Sequence, residues 1–204
     1  MMLLEKTVNE FISLVASSSP APGGGSVSGL SGSLAAALLA MAVRISTMSP
    51  GDSEEPYIRE LEQMEKESRQ LVEEDTEAFN QVMAAYGMAK ATDEDKSIRK
   101  IAIQEALKIA TRVPLRTAEV NHRLLVLAGE IAVFCKSGCL SDAATGSYMA
   151  EAGLKGALAN VYINISSLKD VEFCKEVKEK AALLESALTT LPGQIQSVVQ
   201  ARMR

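Results

Sequence analysis

Between Val27 and Val43 the chain carries no charged side chain, and the apolar run stops at Arg44. The run is about as long as the shortest membrane-spanning helix, roughly 17 residues. Ser28, Gly29, Ser31, Gly32 and Ser33 fall inside it. A helix that is apolar nearly all round belongs in a protein core or a membrane, and the serines and glycines favour the core. A buried helix from about Ser26 to Met48 is therefore expected at the centre of the fold. Gly25, Gly29 and Ser33 form one ridge of small residues along it, and Ser28, Gly32 and Ala36 form another. Both ridges let neighbouring helices approach closely.

The remaining segments also read as helices. Leu3, Leu4, Val8, Phe11, Ile12 and Val15 recur at three- and four-residue spacing and mark one face of a first helix. The run Ser17 to Gly25, with Pro20, Pro22 and three glycines, ends it. Ser49, Pro50, Gly51 and Asp52 break the chain again, and Pro56 suits the first turn of a third helix. That helix runs to about Met88. Its apolar stripe is Leu61, Met64, Leu71, Val72, Phe79 and Val82, and its middle, Glu60 to Arg69, reads as solvated. Thr92 with Asp93, Glu94 and Asp95 forms a capped start. Pro114 is expected to kink or divide the segment that follows. Ser137 to Cys139 is a break, Ser141 a cap for a helix to about Leu168, and Val171 to Leu191 a last long helix. A short frayed tail should follow Pro192 and Gly193.

No β alternation persists beyond a few residues. The expectation is an all-α, single-domain bundle over residues 1–204, with about six to seven helices and one long central helix. Four Phe, four Tyr and no Trp in 204 residues fit such a core better than a sheet. The net charge of −5, with both signs interspersed, leaves no basic footprint for nucleic acid. Cys135, Cys139 and Cys174 are three, without a paired CxxC spacing. They read as buried thiols in a reducing cytoplasm and not as a zinc site. The N-terminus lacks the basic flank and apolar block of a secretory signal. No membrane partner, metal or nucleotide is expected.

Four places could hold chemistry. The loop Pro20-Ala21-Pro22-Gly23-Gly24-Gly25-Ser26 runs straight into a helix, whose unpaired N–H groups favour an anion. It reads equally well as a tight connection, and it lacks the Gly-Lys-Ser/Thr ending of a phosphate loop. In Glu73 to Phe79, Glu73 and Glu77 lie one turn apart while Asp75 projects elsewhere. A partly buried acid among apolar neighbours serves acid–base work, although acid runs on long helices are usually solvated faces. Ser141-Asp142 precedes a helix on which Asn160 and Asn164 share a face amid Ala157, Leu158, Ile163 and Ile165. Amides in that setting need partners, from a neighbouring helix or from a ligand. His122, the one histidine, sits between Asn121 and Arg123 and reads as a polar-face residue before it reads as a general base.

Taken together, the Pro-Ala-Pro-Gly-Gly-Gly-Ser-Val-Ser loop, the stretch Leu71 to Phe79, Val113-Pro114-Leu115, Ser141-Asp142 and Asn160-Val161-Tyr162-Ile163-Asn164 resemble one family in order and spacing. It is the cyclodeaminase/cyclohydrolase group, which includes the C-terminal domain of formiminotransferase-cyclodeaminase and stand-alone methenyltetrahydrofolate cyclohydrolases. The resemblance implies a helical subunit that forms a homodimer, with a one-carbon tetrahydrofolate as substrate. It implies Asp75 and Asp142 as catalytic acids, and Gly23, Gly24, Gly25, Ser26, Asn160 and Asn164 as substrate-binding residues. Two reactions follow. A cyclohydrolase opens 5,10-methenyltetrahydrofolate with water to 10-formyltetrahydrofolate. A cyclodeaminase closes 5-formiminotetrahydrofolate to the methenyl form and releases ammonia. The absence of a fused transferase region tilts the expectation to the cyclohydrolase, and a non-catalytic dimerisation or folate-binding module is the remaining alternative. The chain departs from the family pattern at Glu73, where an Asp is common. It departs again at Ser46 to Gly51, where family chains often have a Gly-Lys-rich stretch, with Lys90 as a partial substitute.

Overall fold

Capping chemistry sets where the helices begin. Thr7 accepts from the Glu10 N–H at 3.3 Å, while Glu10 accepts from the Thr7 N–H at 2.8 Å. This reciprocal pair starts α1 (Val8–Val15) after a 3-10 turn at Leu3–Glu5. The helical spacing read from Leu3 onward thus divides into a turn and a helix. The same device at Thr92 and Asp95, both bonds 3.0 Å, starts α4 (Asp93–Phe134). A computed structural model describes residues 2–46 and 55–203. The expected break at Ser49 to Asp52 and the departure at Thr47 to Gly51 lie outside them.

The remaining elements are α2 (Gly24–Ser46), α3 (Glu55–Gly87), α4 (Asp93–Phe134), α5 (Leu140–Ile165), α6 (Val171–Ala187) and α7 (Leu191–Met203), with a 3-10 turn at Ser137–Cys139. No strand occurs among the described residues. α2 packs against α3, α4 and α5. By length and composition it is apolar enough to cross a membrane, but 67% of its most apolar window is buried inside the bundle, as a core helix requires. Leu39 and Val43 meet Leu61 of α3, Leu124, Leu127 and Ile131 of α4 and Leu140 of α5 in the main core. The small-residue ridges do the work expected of them. A Cβ at Gly29 would lie 3.1 Å from the backbone N of Val72, and one at Gly32 would lie 2.9 Å from Ser68 Oγ. The charged middle of α3 faces out into ion pairs, among them Glu60 with Arg123 at 2.6 Å and Glu67 with Arg116.

Three boundary expectations are corrected. Pro114 does not divide its segment: α4 runs unbroken through it. The proline removes the N–H that would bond the Ala110 carbonyl one turn back. That carbonyl accepts instead from Asn164 Nδ2 at 2.6 Å. Ser141 does not cap α5, because the 3-10 turn feeds directly into the helix and leaves Ser141 inside the first turn. Pro192 opens a helix as well as following one. It occupies the first turn of α7, where its missing N–H has no partner to lose.

α7 is no frayed tail. Ile195 and Val199 are buried, and Arg202 donates to the carbonyls of Ala132 and Cys135, both at 2.7 Å. Those carbonyls belong to the last turn of α4, where a cation is favoured. Arg202→Ala is expected to lower stability by about 1–3 kcal/mol, read as a shift in the urea midpoint with the slope unchanged.

Candidate active site

At one end of the bundle, the N-terminus of α2, the C-terminal half of α3, the N-terminal half of α4 and the C-terminal half of α5 enclose a cleft of about 330 Å³. Its lining includes Gly23, Gly24, Gly25, Asp75, Asn160 and Asn164, which are six of the eight residues singled out in the sequence. Phe79, Val82, Leu107, Ala110 and Ile163 supply apolar walls. A larger groove of about 590 Å³ lies between the N-terminal segment and the outer face of α2, but Lys6 is the only charged residue among its walls. The smaller cleft is where polar groups converge, which is the mark of a specific small-molecule site.

Asp75 is the charged group of this cleft. Its Oδ2 accepts from Ser26 Oγ at 2.7 Å, and its carboxylate also takes the Ser26 backbone N–H. Ser26 is buried at the first turn of α2 and also lies 3.3 Å from Thr76 Oγ1. The anion-binding end of the helix is therefore occupied by the chain's own carboxylate, and Ser26 positions Asp75 instead of facing the open cleft. Burial pushes the Asp75 carboxyl above its ordinary value, and the two Ser26 bonds oppose this without cancelling it. Gly25 is required here, since a Cβ at that position would overlap the Asp75 carboxylate. Gly24 is nearly as constrained: its Cβ would lie 3.2 Å from Asn160 Nδ2.

The two amides on α5 are each half committed. Asn160 Nδ2 bonds the Gly156 carbonyl in its own helix at 2.8 Å, and Asn164 Nδ2 bonds Ala110. Both residues line the cleft, and no hydrogen bond to either carbonyl oxygen is seen among the described residues. Of the alternatives the sequence offered, a partner within the chain accounts for the nitrogen of each amide.

Asp142 is not in this cleft. It lies in the first turn of α5, on the same helix face as Asn160 but 18 residues away, or about 27 Å at 1.5 Å per residue. Glu73 is used structurally, accepting from the Leu4 N–H at 2.9 Å and tying the N-terminal turn to α3. Lys90 is exposed on the α3–α4 loop and lines no part of the cleft. His122 is also outside it, and burial holds its imidazolium below the ordinary range, so it is neutral at pH 7. Among the described residues no group of three or more His, Cys, Asp or Glu is placed to hold a metal ion. Cys135 and Cys139 are buried.

Phe79 was visible in the sequence only as part of an apolar stripe. Its spacing of four from Asp75 puts both on one face of α3, and that spacing was the available signal. Asn121 carried no such signal. It is fully buried on α4 and donates to the Thr117 and Ser28 carbonyls at 2.9 and 3.3 Å. Its role is to hold α2 against α4 behind the cleft.

A desolvated carboxylate, side-chain amides and one aromatic ring converge in an end cleft of this helical bundle, the arrangement of a specific small-molecule site. Comparison with known proteins narrows this class. Residues 7–183 match the family described as formiminotransferase-cyclodeaminase, and the chain belongs to that family. The methenyltetrahydrofolate cyclohydrolase of Methylorubrum extorquens is 39% identical over 188 residues, which cover 89% of this chain and 90% of that protein. The formimidoyltransferase-cyclodeaminase of Gallus gallus is 34% identical across 91% of this chain, a match to 35% of the longer protein. The crystal structure of formiminotetrahydrofolate cyclodeaminase from Thermotoga maritima has a TM-score of 0.85 and 25% identity, covering 98% of each chain.

Proposed function

We propose that this chain is a methenyltetrahydrofolate cyclohydrolase, working in the cytoplasm as a homodimer. The observation that carries the reading is Asp75, an ionisable carboxylate held in a cleft that desolvates it, beside amide acceptors and an aromatic ring. The methenyl bridge is an amidinium cation, and a fixed carboxylate in a low-dielectric cleft stabilises such a charge. The cleft volume suits the bicyclic head of a folate, with the glutamate tail outside.

In the reaction, water adds to the methenyl carbon and gives up one proton to Asp75, leaving a neutral carbon bonded to OH, N5 and N10. The C–N5 bond then breaks as N5 takes the proton from Asp75 and the hydroxyl loses its own to solvent. The product is 10-formyltetrahydrofolate, with one net proton released. The free oxygens of Asn160 and Asn164 accept from the pterin N–H groups, and Gly23 and Gly24 let the ring approach the loop backbone. Phe79 packs against the ring.

Cyclodeamination uses the same carboxylate in the opposite sense, protonating the departing ammonia as N10 closes on the formimino carbon. The two activities are separated by absorbance at the methenyl band. Loss of the band from added methenyltetrahydrofolate, faster than in buffer, is the expected result. Growth of the band from 5-formiminotetrahydrofolate with ammonia release would assign the cyclodeaminase instead. A folded protein that changes neither would leave the non-catalytic module. The rate is further expected to fall as pH drops through the raised Asp75 value, since the base must be ionised. That acid limb should sit above the ordinary carboxylate range.

A further inference from the structure

The hydrogen bonding around Asp75 does not end at Ser26. Ser26 Oγ lies 2.7 Å from Asp75 Oδ2 and 3.3 Å from Thr76 Oγ1, so a carboxylate and two hydroxyls form one continuous chain. Hydroxyl contacts of this length at reacting sites tighten when a ligand binds. The direction of the chain follows from its hydrogen count. An ionised carboxylate only accepts, and a serine hydroxyl has one hydrogen to give. That hydrogen goes to Asp75, which leaves Ser26 Oγ as the acceptor and Thr76 as the donor. Elsewhere in the bundle a helical threonine spends its hydroxyl on the carbonyl four residues back, as Thr111, Thr117 and Thr145 do. Thr76 is turned to Ser26 instead. Ser26 is buried, whereas Thr76 is half-buried and lines no part of the cleft. One residue beyond Asp75, it stands about 100° around α3. The chain thus leads from the cleft, through a buried serine, to the flank of α3.

We propose that Ser26 and Thr76 are a hydroxyl relay, which carries the proton released in the reaction from Asp75 to solvent beside α3 while the ligand still fills the cleft. The source of that proton rests on the cyclohydrolase reading. As the C–N5 bond breaks, its electron pair leaves with N5, which takes the first proton from Asp75. The O–H pair on the former methenyl carbon becomes the second bond of the formyl carbonyl, and that hydrogen passes to the carboxylate just vacated. The acid then turns its O–H to Ser26 Oγ. One proton moves from Asp75 to Ser26, one from Ser26 to Thr76 and one from Thr76 to water. Each hydroxyl gains one hydrogen and loses one, and the carboxylate ends ionised. Both hydroxyls are left pointing toward Asp75, the orientation an ionised carboxylate requires, so the chain resets itself. Thr76 is a positioning residue in this scheme, acting through Ser26 and Asp75.

The test is the series Thr76→Ser, Thr76→Ala and Thr76→Val, assayed with methenyltetrahydrofolate. Valine keeps the shape of threonine without its hydroxyl, and alanine leaves room for a water to stand in for it. A relay ranks Thr76→Val lowest, with kcat about tenfold below wild type, the low end for loss of a proton-transfer group. Thr76→Ala should fall between, Thr76→Ser should recover most of the loss, and KM should stay put throughout. A packing role predicts the opposite order, with valine near wild type and alanine worst. A folded Thr76→Val that turns over like wild type, or a series in which alanine falls below valine, would overturn the proposal. A second readout needs no turnover. The titration midpoint of the Asp75 carboxyl, followed by carbon NMR of the free protein, should rise from wild type to Thr76→Val and again to Ser26→Ala. Each loss weakens the donation that favours the ionised form. A midpoint unmoved in Thr76→Val breaks the outer link and overturns the relay as well. Failure of the folate reading looks different: the wild type leaves both folates unchanged while the midpoints still rise in that order, which supports the hydroxyl chain and removes only the source of its proton.

Discussion

Asp75→Asn is expected to reduce turnover by about 10² to 10⁴, the range for loss of a positioned acid–base group, while the protein stays folded. The substitution keeps the shape and one acceptor for Ser26 but removes the charge that balances an amidinium and the site that carries its proton. In barrier terms this is about 3–5 kcal/mol. The stability readout has a definite sign. The folded protein holds the Asp75 carboxyl above its ordinary value, so folding favours the protonated form. That contribution is present below the unfolded carboxyl value and is lost as pH rises through the folded one. Melting temperatures of wild type and Asp75→Asn, compared across pH, should therefore move in wild type's favour as pH falls. A melting difference that is flat with pH would mean that Asp75 is not desolvated. An undiminished rate in the folded variant would remove it from the chemistry.

The residues that made the fold legible are those whose information is local. The charge-free run after Val27 announced the central helix. Thr92 with Asp95 announced the start of α4, and both are seen. The glycine loop and the Asp75 motif were legible as pieces, and the structure brings them together through the Ser26–Asp75 bond. What the sequence concealed was the direction of that bond. A helix N-terminus invites an anion, but only the packing of α3 against α2 shows that the anion comes from the same chain. Asp142 was concealed for the opposite reason. A motif residue read as part of one site stands about 27 Å along its helix from Asn160, and a shared helix face says nothing about distance along the helix. Of the two outcomes expected at Pro114, a kink or a division, the division failed on the same ground. Its cost is local and visible, while the donor that offsets it arrives from Asn164 on another helix.

That last pairing gives the second large effect. Asn164→Leu is expected to destabilise the protein by about 1–3 kcal/mol, the cost of leaving a part-buried carbonyl without a donor. Ala110 is the carbonyl concerned, and it lacks a helical partner because residue 114 is proline. Pro114→Ala supplies the missing N–H, so the two substitutions should couple. In a double-mutant cycle the cost of Asn164→Leu should shrink by about 1 kcal/mol in the Pro114→Ala background. Independent costs would mean that the Asn164 bond is incidental to the proline. Activity separates the two ends of the amide. Asn164 Nδ2 is committed to Ala110, and its oxygen is the end proposed to bind the folate head in the cleft that the residue lines. The Pro114→Ala background should therefore restore stability to Asn164→Leu without restoring its KM. If KM recovers along with stability, Asn164 shapes the cleft only by holding α5 against α4. If KM stays raised, the same side chain mends a helix with its nitrogen and reads the substrate with its oxygen.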